Sequence, residues 1–203
     1  ITYKPFGSKM KSEYAVFVSG SDDLAAKMCG VLSISLSSIK QYYDEKYDRG
    51  NFIKNIILDN ILPGDIYIKS RELHFGNDVP RVVFLVRQQA PADVAAIDVV
   101  NGMFPDKQKD FVLHISETDI VVVKEVKAGS EIKDLIKLAD SIEETLLSEL
   151  SVKCLIGIGS VSSQMKDIAK SFKEATTAIE VGAVFDTEKN IISFENLGIG
   201  RLI

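Results

Sequence analysis

Few residue types in this 203-residue chain could carry chemistry, and their spacing decides what they could do. Glu117 and Asp119 stand two apart in Ser116-Glu117-Thr118-Asp119, a polar stretch between two apolar runs. A pair of hard cations needs several oxygen ligands. One acid pair on a turn does not supply them and reads as a solvated tip. His74 and His114 are forty residues apart with no flanking ligand pattern, which favours packing or surface roles over a metal site. Cys29 and Cys154 sit in apolar stretches without CxxC or Cys/His spacing, as core thiols in a reducing compartment would. Gly157-Ile-Gly159 runs on into Ser160, Val161 and Ser162, so a dinucleotide fingerprint would lack its third glycine. These glycines are expected to let a strand turn tightly into a helix capped by Ser160, Ser162 and Ser163. Arg49, Arg71, Arg81, Arg87 and Arg201 are scattered singly, with no two on one evident face to grip a dianion. No Gly-x-Ser-x-Gly elbow or Walker lysine is present. The residues therefore nominate no catalytic, cofactor-binding or metal-ligating group and imply no cofactor.

Composition narrows the class further. The chain is 46% hydrophobic and 26% charged, and its net charge of −5 comes from interspersed acids and bases. Nucleic-acid binders usually carry a basic stripe, so this segment is not expected to hold DNA itself. Its longest apolar runs, such as Val82–Val86, are too short to span a bilayer, and no signal peptide opens the sequence. A cytoplasmic location without membrane contact follows as the expectation. A chain this long buries enough surface to fold without disulfides or metal. It begins at Ile1 and stops at Arg201-Leu202-Ile203, and both ends read as cuts in a longer protein.

Three regions must position these residues. Residues 1–20 hold two short strand candidates, Ile1–Lys4 and Tyr14–Ser19, around a polar turn at Gly7 and Ser8. Residues 21–75 read as helical. Ser21-Asp22-Asp23 is an N-cap cluster, and Leu24, Met28, Val31, Ser35, Ile39 and Tyr42 recur at helical spacing. Gly50 is expected to interrupt this helix. A second stretch through Phe52, Ile53, Ile56, Ile57 and Ile61 should stop at Pro63-Gly64, and a third helix should run from the cap Asp65 to about His74. An apolar stripe marks burial without naming what buries it, so this region is either a signalling linker or a helix packed on its own domain.

Residues 76–203 read as α/β. Arg81–Val86 is a continuous apolar run suited to a central strand. A short helix, Asp93–Asn101, precedes the hairpin Asp110–Ile115 and Ile120–Val126 with its turn at Ser116–Asp119. A helix from Ser130 places Ile132, Leu135, Ile136, Ala139, Ile142, Leu146 and Leu150 on one face. A strand at Val152–Ile158, a helix at about Ser163–Val181 and a strand at Ile191–Phe194 close the order. Two helices over one face of such a mixed sheet would be ferredoxin-like.

That order is also the order of the GGDEF or nucleotidyl-cyclase-like fold. Lys170-Ser-Phe-Lys-Glu-Ala-Thr-Thr-Ala-Ile-Glu-Val-Gly182 with Ile192-Ser-Phe-Glu-Asn-Leu-Gly198 resembles the close of the degenerate GGDEF-like domain in CdaR/PucR regulators of sugar-diacid utilisation. Gly157-Ile-Gly159 and Asn51-Phe-Ile-Lys-Asn-Ile-Ile-Leu58 resemble parts of the same domain, so the likeness covers about residues 51–203. Tyr14–Ile39 more weakly resembles the last strand and exit helix of a diacid-recognition domain. The resemblance implies three parts: a sensor-domain tail at 1–20, a helical linker and dimerisation region at 21–75, and a degenerate GGDEF-like domain at 76–203. Active cyclases carry glycines and an acid on the central hairpin and an Asp at the end of the first strand. Here the tip has no glycine and the strand ends Val86-Arg87-Gln88-Gln89. The resemblance thus implies no enzyme but a homodimeric fragment of a transcription regulator. DNA would be reached only through a C-terminal helix-turn-helix domain outside this chain, and a small acidic metabolite through the N-terminal sensor. The alternatives are a catalytically dead nucleotide-binding domain or a purely structural dimerisation domain.

Overall fold

A computed structural model describes residues 1–8, 11–76, 78–89, 94–185 and 189–197. The chain divides into two compact units, Ile1–Arg49 and Gly50–Ile203.

In the first unit, β1 (Thr2–Ser8) pairs antiparallel with β2 (Lys11–Val18), from Thr2 opposite Val18 to Phe6 opposite Tyr14. The ladder outruns the expected end at Lys4 because Phe6 stacks on Tyr14 at 5.5 Å, an aromatic cross-strand pair. Gly7 and Ser8, expected in a turn, are therefore strand residues, and residues 9–10 lie outside the described residues. Helix α1 (Asp23–Ile57) starts where expected, with the Asp22 carboxylate accepting the Ala25 N–H at 2.8 Å. Small residues one turn apart, Ala25, Cys29 and Ser33, are its buried positions in this unit. Cys29 Sγ donates to the Val16 carbonyl at 3.4 Å and Ser33 Oγ to that of Pro5 at 3.2 Å, which ties helix to hairpin.

The helix does not break at Gly50. A mid-helix glycine costs about 1 kcal/mol, less than the helix gains by burying Phe52, Ile53, Ile56 and Ile57 immediately after it. It ends at Ile57, short of the expected Ile61, because Asp59 is left-handed (φ 57°). The Asp59 and Asn60 N–H groups then close back on the Ile56 and Asn55 carbonyls. Pro63, expected as a stop, is instead the first residue of α2 (Pro63–Glu72), where a missing N–H costs nothing. His74 ends that helix in the left-handed region (φ 56°), with Phe75 N–H bonded to the Ser70 carbonyl and His74 N–H to that of Arg71.

The sheet of the second unit has the order β4-β5-β3-β6-β7. These are β3 (Arg81–Gln88), β4 (Phe111–His114), β5 (Asp119–Glu125), β6 (Cys154–Ile158) and β7 (Ile191–Ser193). All pairings are antiparallel except β6 with β7. Central β3 has Val82, Phe84 and Val86 on one face and Val83 and Leu85 on the other, all buried, as its unbroken apolar run implied. Helices cover both faces, where covering on one face was expected. The first face packs α3 (Val94–Met103) and α4 (Ile132–Leu150). The second packs the end of α1, α2 and α5 (Ile168–Phe185). The start expected for α3, Asp93, lies outside the described residues. In α4 the buried residues are Leu135, Ala139, Ile142 and Leu146, the stripe legible from spacing alone.

The role of Gly157 and Gly159 differs from the expected tight turn. Both lie under α5, and a Cβ on Gly157 would sit 2.1 Å from the Ala175 carbonyl oxygen. One on Gly159 would sit 2.0 Å from that of Ser171. The glycines let the α5 backbone lie directly on β6. Nor do the serines cap the helix. Ser162 forms a two-way backbone bridge with Arg81 and donates its hydroxyl to the Arg81 carbonyl, while a 3₁₀ turn at Met165–Asp167 leads into α5 with no side-chain cap at its start. Replacing Gly157 with Ala should therefore cost about 2 kcal/mol or more by overpacking. Gly50→Ala, whose Cβ would meet only Leu113 at 3.8 Å, should instead stabilise by about 0.5–1 kcal/mol. Urea unfolding of the two variants checks both signs.

Candidate functional site

The residues nearest to chemistry gather where β3 ends beside the β4–β5 hairpin. Antiparallel register sets Arg87 directly opposite Asp119. The guanidinium grips the carboxylate with both prongs: Nε donates to Oδ1 at 2.9 Å and Nη2 to Oδ2 at 2.9 Å. The pair is only part exposed, Asp119 to 14% and Arg87 to 32%. Arg87 is held protonated more firmly than usual, chiefly by the hydrogen bonds to Asp119. Burial opposes this, and the charges of Asp119 and of Glu180 on α5 reinforce it.

The turn itself is built by serine. Ser116 Oγ accepts the N–H groups of Thr118 (3.3 Å) and Asp119 (3.1 Å), and Thr118 Oγ1 donates to Asp119 Oδ1 at 3.3 Å. Glu117 is exposed, while the Thr118 carbonyl accepts the Gln88 N–H at 2.9 Å. The two acids singled out by spacing are thus not brought together: one is bound by arginine and the other is solvated. His114 reaches the Ser116 carbonyl at 3.4 Å, and His74 serves as a helix end. Among the described residues, no group of three or more His, Cys, Asp or Glu could hold a metal ion.

The other arginine of β3 is also engaged internally. Buried Arg81 donates through Nη1 to the carbonyls of Gly76 (3.0 Å) and Val79 (3.1 Å), and Nη2 lies 3.7 Å from Glu125. Arg201 lies outside the described residues. Both cysteines are buried thiols, and burial, with Glu143 adding to it, pushes Cys154 up to about 12.

Spacing missed three groups. Ser171 Oγ accepts the Val83 N–H at 3.2 Å, and buried Glu174 accepts the Ser160 N–H at 2.9 Å, so α5 stitches both inner strands. Gln88 is buried with no partner for Nε2 among the described residues. A signal existed only for the Arg87–Asp119 pair: opposite charges across a hairpin-flanked strand become neighbours once register is known. Arg87→Ala should cost about 1–3 kcal/mol, since it strands a part-buried carboxylate. Adding Asp119→Ala should recover part of that loss, with a coupling of about 1 kcal/mol in a double-mutant cycle of unfolding energies.

No helix among the described residues is long and apolar enough to cross a membrane. A comparison with curated proteins finds no match. Residues 60–181 match the family described as GGDEF-like domain, more than half of the chain, from α2 through strands β3 to β6 and most of α5, with the hairpin that carries Asp119. By that match, and with a five-stranded mixed sheet arranged to fit it, the chain belongs to the GGDEF-like domain family.

Proposed function

We propose that this chain is a non-catalytic relay segment of a bacterial transcription regulator of the CdaR/PucR type. Residues 1–20 would be the tail of a sensor domain for a small acidic metabolite, and the helical region would couple that sensor to the GGDEF-like domain. DNA would be contacted by a helix-turn-helix domain outside this chain. The observation that carries the reading is the Arg87–Asp119 pair. Metal-assisted nucleotide chemistry wants carboxylates converging on a cation. At this edge the strand-end residue is itself a cation, and it occupies both oxygens of the hairpin acid.

Charge supports the same reading. Binding to DNA is driven by counterions released as clustered Lys and Arg neutralise phosphates. A net charge of −5 works against that, and Arg81 and Arg87 are spent on internal carbonyls and carboxylates. The relay works as a homodimer in this reading, since two-fold proteins match two-fold operators.

Incubation with GTP or ATP and Mg²⁺ or Mn²⁺, followed by chromatography, should yield no product. Turnover at enzyme-like rates that disappears with Glu117→Ala or Asp119→Ala would overturn the non-catalytic reading. In a mobility-shift assay the longer protein should retain its promoter, and this segment alone should not. Tight sequence-specific retention by the segment would contradict the relay.

A further inference from the structure

The outer face of α1 is unlike a solvated helix surface. From Met28 to Tyr43 the only charged residue is Lys40, and that ammonium lies 5.8 Å from the centre of the Tyr14 ring and bonds Asp44 at 2.7 Å. The rest of these four turns carries no charge. Leu24, Met28, Val31, Leu32, Ile39 and Tyr42 are between 41% and 65% exposed. At 100° per residue they fall in one stripe about 100° wide, the width of a core-facing helix side. Ala25, Cys29 and Ser33, which face the hairpin, fall on a different side. The stripe is therefore a second apolar face that the hairpin leaves open.

Its spacing names the occupant. Met28, Leu32, Ser35, Ile39 and Tyr42 alternate by four and three residues, the 3.5-residue repeat with which a helix packs against another along its length. A stripe without charge offers nothing to a charged partner, yet it can meet its own copy without like-charge repulsion. The area also suffices. Six side chains at these exposures amount to roughly 600 Å² per copy, or about 1,200 Å² in all, the lower end of stable dimers.

We infer that this face is covered by a second copy of the chain, in a two-fold seam centred on Ser35. The inference deepens the dimeric part of the relay reading. In a two-fold interface the residue on the axis meets its own counterpart whichever way the helices run, so Ser35, midway between Met28 and Tyr42, faces the partner's Ser35.

The test uses the whole 203-residue chain, whose native thiols are both buried. Ser35→Cys should form a covalent dimer within minutes under mild oxidation on a non-reducing gel, whereas Gln41→Cys, exposed but off the stripe, should not. Light scattering of the unaltered chain at micromolar concentration should report a dimer. Val31→Asp with Ile39→Asp should convert it to a monomer whose circular dichroism is unchanged. A monomer from the unaltered chain would sink both the seam and the dimeric reading. A dimer that survives the aspartates, or that cross-links equally through Gln41→Cys, would remove the seam and leave the dimeric reading standing.

Discussion

The close approach of α5 to β6 governs the second unit. Because Gly157 and Gly159 present no side chain, the carbonyls of Ala175 and Ser171 lie where Cβ atoms would otherwise be. Two polar contacts depend on that proximity. Ser171 reaches the Val83 N–H of the central strand, and Glu174 reaches the Ser160 N–H where β6 gives out. Both N–H groups would otherwise be left without those partners in a buried region, at about 1–3 kcal/mol each. Gly182 repeats the device one strand over, where a Cβ would fall 2.7 Å from Ile192 of β7. A helix set this low meets β6 backbone to backbone, while Ile168 and Ile179 pack beside that contact on the same face.

The opposite face is closed differently, and the contrast explains how the hairpin edge is set. There α4 stands off the sheet on Leu135, Ile142 and Leu146, meeting Phe84, Ile120 and Val122 in ordinary side-chain packing. With apolar contact on both faces, the charged side chains of β3 sit toward its two ends. At one end of β3, Arg81 is held by carbonyls and Glu125; at the other, Arg87 is held by Asp119. The central strand is thus pinned at both ends by cations whose partners lie in the same domain. An edge occupied in this way is a fastening between strands.

Much of this was legible in residue order, and what was not has identifiable causes. The α4 stripe and the unbroken β3 run declare themselves, because burial on one face or on two leaves a period in the sequence. Other signals were ambiguous in sign. Pro63 reads equally as a stop or a first helical residue, and Gly50 as a break or a tolerated cost that packing by Ile53 and Ile56 outweighs. Asp59, His74 and Ser151 end helices in the left-handed region without the glycine that usually marks it. At the hairpin the acids were visible but their fate was not, since the pairing of Arg87 with Asp119 follows from register between segments 32 residues apart. The role of Gly157 and Gly159 depends on a helix still further along the chain.

Order of synthesis gives the central position of β3 a cost of its own. It leaves the ribosome ahead of all its strand partners: β5 follows more than 30 residues later, β6 more than 60, and the hydroxyl that satisfies Val83 comes 88 residues on. Only β4 and β5 can pair early, as a local hairpin. Until α5 is complete, the face of β3 that carries Val83 and Leu85 has only the end of α1 and α2 to cover it. Such a nascent chain resembles the exposed apolar intermediates that aggregate or recruit chaperones. The face under α5 is therefore the last to close, with the arrival of that long helix.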